Sequence, residues 1–114
     1  MSSQSEVMHC YEQIAKLAEQ MLSLARTYQW GALPAQEAMY SAMVDRLKEI
    51  EALESLHEEQ VARKYLLLSH IALRQTEISS LVMPQLQHLG EMLRSLERQD
   101  NLQKAYGQHS DIRL

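Results

Sequence analysis

Residues 58–97 read EEQVARKYLLLSHIALRQTEISSLVMPQLQHLGEMLRSLE. Apolar side chains recur at Val61, Tyr65, Leu68, Ile71, Ile78, Val82, Leu86, Leu89, Leu93 and Leu96, mostly in steps of three and four, which is the period of an α-helix. At ~1.5 Å per residue these forty residues would reach ~60 Å, far longer than the other helical segments of the chain. Pro84 cannot donate to the carbonyl of Ser80 and its ring presses on that carbonyl, so a kink is expected near residues 80–84. Around residues 65–73 the apolar groups Tyr65, Leu66, Leu67, Leu68, Ile71, Ala72 and Leu73 surround the helix instead of lining one stripe. Two flanking helices cannot cover all of them from one side, so the surplus marks either a partner surface or a homodimer seam.

Upstream, the first helix is expected to start near Ser5, with Ser3 and Glu6 in capping-box spacing, and to end at Arg26 or Thr27. Val7, Tyr11, Ile14, Ala18, Met21, Ala25 and Tyr28 form its seam, and Cys10, Leu17, Leu22 and Leu24 widen it. Tyr28-Gln29-Trp30-Gly31-Ala32-Leu33-Pro34 then breaks the period: Gly31 loosens the chain and Pro34 suits the first turn of a new helix. That second helix is expected from residues 32–35 to about Leu53, with Leu33, Tyr40, Met43, Val44, Leu47 and Ile50 inward. Trp30 and Leu33 would close one end over Tyr28 and Tyr40. Glu54-Ser55-Leu56-His57 is the second turn. After Gln99, Asp100 or Asn101 can cap a short last helix that stops at Gly107, leaving Gln108–Leu114 disordered. The fold class is therefore all-α: an antiparallel bundle of three main helices plus a short C-terminal one, in a single domain over 1–114.

Composition agrees. The 114 residues hold no Phe, three Gly and two Pro, which leaves little strand or turn chemistry, and 46% are hydrophobic, enough for one core. The N-terminus lacks the basic cluster and apolar run of a secretory signal. The longest strongly apolar run, Tyr65–Leu68, is far short of the ~20 residues that span a bilayer, so no membrane insertion is expected. A single cysteine, Cys10, fits a reducing cytoplasm. The net charge of −4 argues against direct nucleic-acid binding. Asp45, Glu49, Glu51, Glu54, Glu58 and Glu59 outweigh Arg46 and Lys48, which reads as a solvated face or as a docking patch for a basic partner.

Catalysis needs a constellation, and none is visible. His9, His57, His70, His88 and His109 include no pair at the spacing that puts two ligands on one helical face. Glu54 and His57 give one copy of the di-iron bundle motif and no second. Phosphate-binding glycine loops are missing. The chain reads as no enzyme, with no cofactor or metal called for, and as a binder of other proteins.

Tyr28-x-Trp30-x-x-Leu33-x-x-x-Glu37-x-x-Tyr40, the long Leu-rich helix and the closing Ala105-Tyr106-Gly107 together resemble the FliT-type flagellar type III export chaperones, over nearly the whole chain. The resemblance implies a cytoplasmic helical bundle that binds the filament-cap protein FliD, prevents its premature assembly and delivers it to the export ATPase complex and export gate. Some such proteins also bind a flagellar transcription regulator. It further implies that the partner surface includes Leu68 and Ala72, and that a segment from about 98 to 114 acts as a movable flap through Leu102 and Tyr106. Joined to the apolar surplus, the partner-binding candidates are Leu67, Leu68, Ile71, Ala72 and Ile78. Pro84 and the small Ala72 depart from the expected pattern and imply a shallower groove. A client-free helical dimerisation module and an anti-activator of a transcription regulator are the competing readings.

Overall fold

The structure, a computed structural model, describes residues 5–112. Helix α1 spans Glu6–Arg26, a 3-10 turn Trp30–Ala32 leads into α2 over Leu33–Glu51, and α3 spans Glu58–Ile112. The three main helices are those the apolar periods call for. The chain divides into two units, one ending at Leu81 and the other beginning at Val82.

In the first unit, each helix end has a local cause. Ser5 caps α1, its hydroxyl accepting from the Met8 N–H at 3.1 Å, while Glu6 in the first turn and Arg26 in the last complement the helix dipole. Ser3, the other capping candidate, lies outside the described residues. At the far end the Tyr28 N–H donates to the Ala25 carbonyl and the Gln29 N–H to the Leu24 carbonyl, closing a Schellman motif. The left-handed position of that motif is Tyr28, with φ 58°, and not the nearby Gly31. A non-glycine residue there costs on the order of 1–2 kcal/mol. The Tyr28 ring meets Trp30 edge-on at 6.0 Å, a contact that offsets part of the cost. Tyr28 is otherwise exposed, so the α1 seam ends at Ala25.

Pro34 sits in the first turn of α2, where its missing N–H is harmless. α3 begins with the Gln60 side chain accepting from the His57 N–H at 2.8 Å. The Glu54 carboxylate accepts from the Val7 N–H at 3.2 Å and fastens the second turn to the start of α1. The core joins Val7, Cys10, Tyr11, Ile14 and Ala15 of α1, Leu47 and Ile50 of α2, and Leu67 and Ile71 of α3, with Tyr40, Met43, Val44 and Leu56 packed around them.

Two expectations about α3 are corrected. Ile71 and Ile78 of the expected seam are buried, but earlier in the helix the inner places expected for Leu68 and Tyr65 are taken one position sooner, by Leu67 and by Lys64. Its apolar stem lies inward and its ammonium meets Glu51, so a charged residue holds an inner position and disguises the period.

In the second unit no separate C-terminal helix begins at Asp100. The helical backbone passes Pro84, Asp100 and Gly107 and runs to Ile112, including residues 108–112, which were expected to be disordered. Residues 113 and 114 lie outside the described residues. Pro84 and Ser80 are exposed, so water can satisfy the carbonyl that loses its donor and the helix tolerates the ring.

Candidate functional site

The surplus on α3 resolves into three rows. Leu67, Ile71 and Ile78 face inward, and each is less than one-tenth exposed. As packed, these three candidates belong to the intramolecular core and offer no free surface. Val61, Tyr65, Leu68 and Ala72, in steps of four, three and four, form a second row that is open to solvent, with Tyr65 62% and Leu68 38% exposed. Leu66 and Leu73, seven residues apart, form a third row, 65% and 63% exposed. Of the five candidate residues, only Leu68 and Ala72 are presented outward. Tyr65, part of the apolar surplus but not one of the five candidates, stands with them on this open row.

What separates these rows is charge. Arg63 donates from Nε and Nη2 to both carboxylate oxygens of Glu12, at 3.1 and 3.3 Å. His70 Nε2 lies 2.6 Å from Glu19, which also accepts from Arg74 Nε. Arg26 Nη2 donates to Glu77 at 2.5 Å, and Arg74 Nη1 to the other oxygen of Glu77 at 2.9 Å. Glu12, Glu19 and Arg26 stand seven apart, as do Arg63, His70 and Glu77, so α1 and α3 run in the same direction in matched register. These pairs are solvent-exposed and individually worth ~0–1 kcal/mol. Their effect is to fix register and to fence Leu66 and Leu73 off from the core. An open groove of about 520 Å³ lies along this fence, lined by Ala15, Lys16, Leu66 and Leu67 among the paired charges.

On the other flank, three helices meet at one polar node. Tyr11 Oη donates to Glu51 Oε1 at 2.6 Å, and Lys64 Nζ reaches the same oxygen at 2.7 Å. Lys64 Nζ also stands 5.7 Å from the Tyr11 ring centre and 5.8 Å from that of Tyr65. Burial, reinforced by the Glu51 carboxylate, pushes the Tyr11 hydroxyl up to about 12. Hydrogen bonds from Lys64 and Tyr11 hold the Glu51 carboxyl below its ordinary range, and the bond to Glu51 raises Lys64. Arg74, by donating to Glu19, likewise lowers that carboxyl. The node anchors Lys64, whose ammonium stands over the ring of Tyr65, second in the open row. Neither the node nor the fence was found from sequence, since the pairs that tie α1 into them, Tyr11–Glu51, Glu12–Arg63 and Glu19–Arg74, lie 40 to 55 residues apart; the seven-residue repeat of charges on two helices was the available signal.

Cys10 is buried, and desolvation pushes its thiol up, away from nucleophilic use. No group of three or more His, Cys, Asp or Glu able to hold a metal occurs among the described residues, and none of their helices is long and apolar enough to cross a membrane. In the second unit, Leu102 and Tyr106 are both well exposed, on a helix continuous through that segment.

Residues 8–108 match the family model for flagellar protein FliT. The chain is 32% identical to flagellar protein FliT of Yersinia pestis over 107 residues, covering 91% of this chain and 87% of that one. It is 28% identical to FliT of Serratia proteamaculans, covering 100% and 93%. The crystal structure of FliT from Bordetella bronchiseptica superposes with a TM-score of 0.70 at 31% identity, covering 77% of this chain and 99% of that one. A three-helix arrangement, a match that spans nearly the whole length and a solved relative of the same fold give one conclusion: this chain belongs to the FliT family of flagellar proteins.

Proposed function

We propose that the chain is a flagellar export chaperone, which binds the filament-cap protein FliD in the cytoplasm, keeps it from assembling early and hands it to the export ATPase complex and gate. The observation that carries this reading is the row Val61, Tyr65, Leu68 and Ala72. It is apolar and open to solvent on a helix whose adjoining face is already filled by the core. Membership of a flagellar family supports the cellular setting.

An amphipathic segment of the cap protein would lie along this row and place its own apolar side chains between Tyr65, Leu68 and Ala72. Leu67 and Ile71 hold the row from behind, so the surface is formed before the client arrives and little ordering is required. Ala72 leaves a shallow place beside Leu68 that admits a larger client side chain. Full burial of one leucine is worth ~1.5–3 kcal/mol before ordering costs, so a few such contacts hold a client firmly yet reversibly.

The test is capture of the C-terminal segment of the filament-cap protein by the intact chain and by Leu68→Asp. Strong capture by the first and loss by the second, with equal helix content, is the expected result. Equal capture by both contradicts the assignment of the surface.

A further inference from the structure

Leu66 and Leu73 are each about two-thirds exposed, and they lie on the flank of α3 that faces away from the row of Tyr65, Leu68 and Ala72, across the buried Leu67 and Ile71. A client on that row leaves them uncovered. They stand seven residues apart, ~10.5 Å along the axis, which is the repeat at which one face of another helix returns. The open groove between α1 and α3 runs beside them, with Leu66 on one wall and Ala15 and Lys16 on the other.

Charge along this groove is unevenly compensated, and that decides what fits. Glu12 is held by Arg63, and Glu19 by His70 and Arg74. Lys16 stands between the two carboxylates on α1 and makes no ion pair among the described residues, so the one uncompensated charge of the lining is positive. In the register where Glu12 meets Arg63 and Glu19 meets His70, Lys16 is level with Leu67 and thus beside Leu66, across the groove. A basic helix would meet Lys16 as a like charge and would have to take the carboxylates from the cations that hold them. The net charge of −4 is no obstacle to an acidic one: the surplus of acidic groups between residues 45 and 59 accounts for all of it.

We propose that this groove docks an acidic amphipathic helix of a partner protein other than the client, with apolar side chains seven residues apart on Leu66 and Leu73 and a carboxylate at Lys16. The inference rests on the chaperone reading only in calling the occupant distinct from the client. Because the two surfaces lie on opposite flanks of α3, the chain can hold both partners at once.

The probes are a helical peptide of about three heptads, with leucines at seven-residue spacing flanked by glutamates, and its counterpart with lysines in their place. Each is titrated into the full chain while backbone amide resonances are followed. The glutamate peptide is expected to bind more tightly and to move the amides around Lys16, Leu66 and Leu73, leaving those around Leu68 in place. Lys16→Glu weakens the glutamate peptide about fivefold or more and strengthens the lysine peptide, whereas Leu66→Ser weakens both about tenfold, with helix content unchanged. Both variants still capture the C-terminal segment of the filament-cap protein, and the loaded chain still takes the peptide. Failure of the intact chain to capture that segment would count against the chaperone reading and leave the peptide result standing. Equal binding of the two peptides, binding of neither, or shifts centred on Leu68 overturns the inference. So does displacement of the peptide by the cap-protein segment, which assigns the groove to the client, or by rising concentration of the chain itself, which assigns it to a second copy.

Discussion

The stretches of α3 before and after Leu81 carry apolar side chains of similar kind at similar spacing, and they use them differently. Before Leu81, Leu67, Ile71 and Ile78 are buried. After Val82, Leu86, Leu89, Leu93, Leu96 and Leu102 are all at least half exposed. Periodicity thus identifies a face that avoids water, but it does not identify what covers that face. Covering depends on which other elements reach that far along the helix, and the period carries no such information.

The sharpest way to break the comparison is truncation of one leucine-sized group from each stretch. Ile71→Ala is expected to lower the unfolding free energy by about 2–5 kcal/mol in urea, through lost burial and a cavity. Leu102→Ala should change it by less than about 0.5 kcal/mol. Equal losses would show that the second stretch is covered after all.

A smaller effect concerns the polar node that lets Lys64 occupy an inner position. Tyr11→Phe removes one partly buried hydrogen bond and is expected to cost about 1 kcal/mol. Its pH dependence has a definite sign. The Tyr11 hydroxyl is raised to about 12 in the folded chain, so its contribution is complete below the ordinary value of 10.0 and is lost as pH rises toward 12. Glu51 is lowered, so its contribution is present above the ordinary value of 4.5 and is lost as pH falls through the folded value. The urea midpoint of the intact chain should therefore fall at both extremes, and Tyr11→Phe should flatten the alkaline fall while only reducing the acid one, because Lys64 still donates to Glu51.

The smallest effect separates two kinds of ion pair. Glu12→Gln breaks the fork from Arg63 that joins α1 to α3, whereas Asp100→Asn breaks the one-turn pair with Lys104 at 3.1 Å within a single helix. The first is expected to cost ~0.5 kcal/mol and the second ~0.3 kcal/mol or less, both fading in high salt. A larger loss from Asp100→Asn would mean that residues 100–104 carry more of the fold than their exposure indicates.

Much of the first unit was legible in advance because its signals are local. Ser5 and Pro34 mark helix starts by their own hydrogen-bonding chemistry, and the inner faces of α1 and α2 contain few polar residues to blur the period. The phase of α3 was not legible, because Lys64 points inward only when Tyr11 and Glu51, from two other helices, are there to receive it. That phase decides which leucines form a surface, so of the five candidates Leu67, Ile71 and Ile78 went to the core, Leu68 and Ala72 stayed outward, and Tyr65 joined them. The end of α3 was misread for a related reason: Asp100 and Gly107 are favourable at helix ends, yet neither forbids continuation, and a long run of Gln, Leu and Lys carries the helix onward.

The neighbouring pair Leu67 and Leu68 provides the most direct test of the whole account. Each is changed to alanine, and each variant is measured for urea stability and, where folded, for calorimetric affinity toward the C-terminal segment of the filament-cap protein. Leu67→Ala is predicted to lose about 2–5 kcal/mol of stability while its folded fraction still binds, and Leu68→Ala to keep its stability within about 1 kcal/mol while losing affinity about tenfold. Should Leu68→Ala bind as tightly as the intact chain, the outward row of α3 is not the client surface.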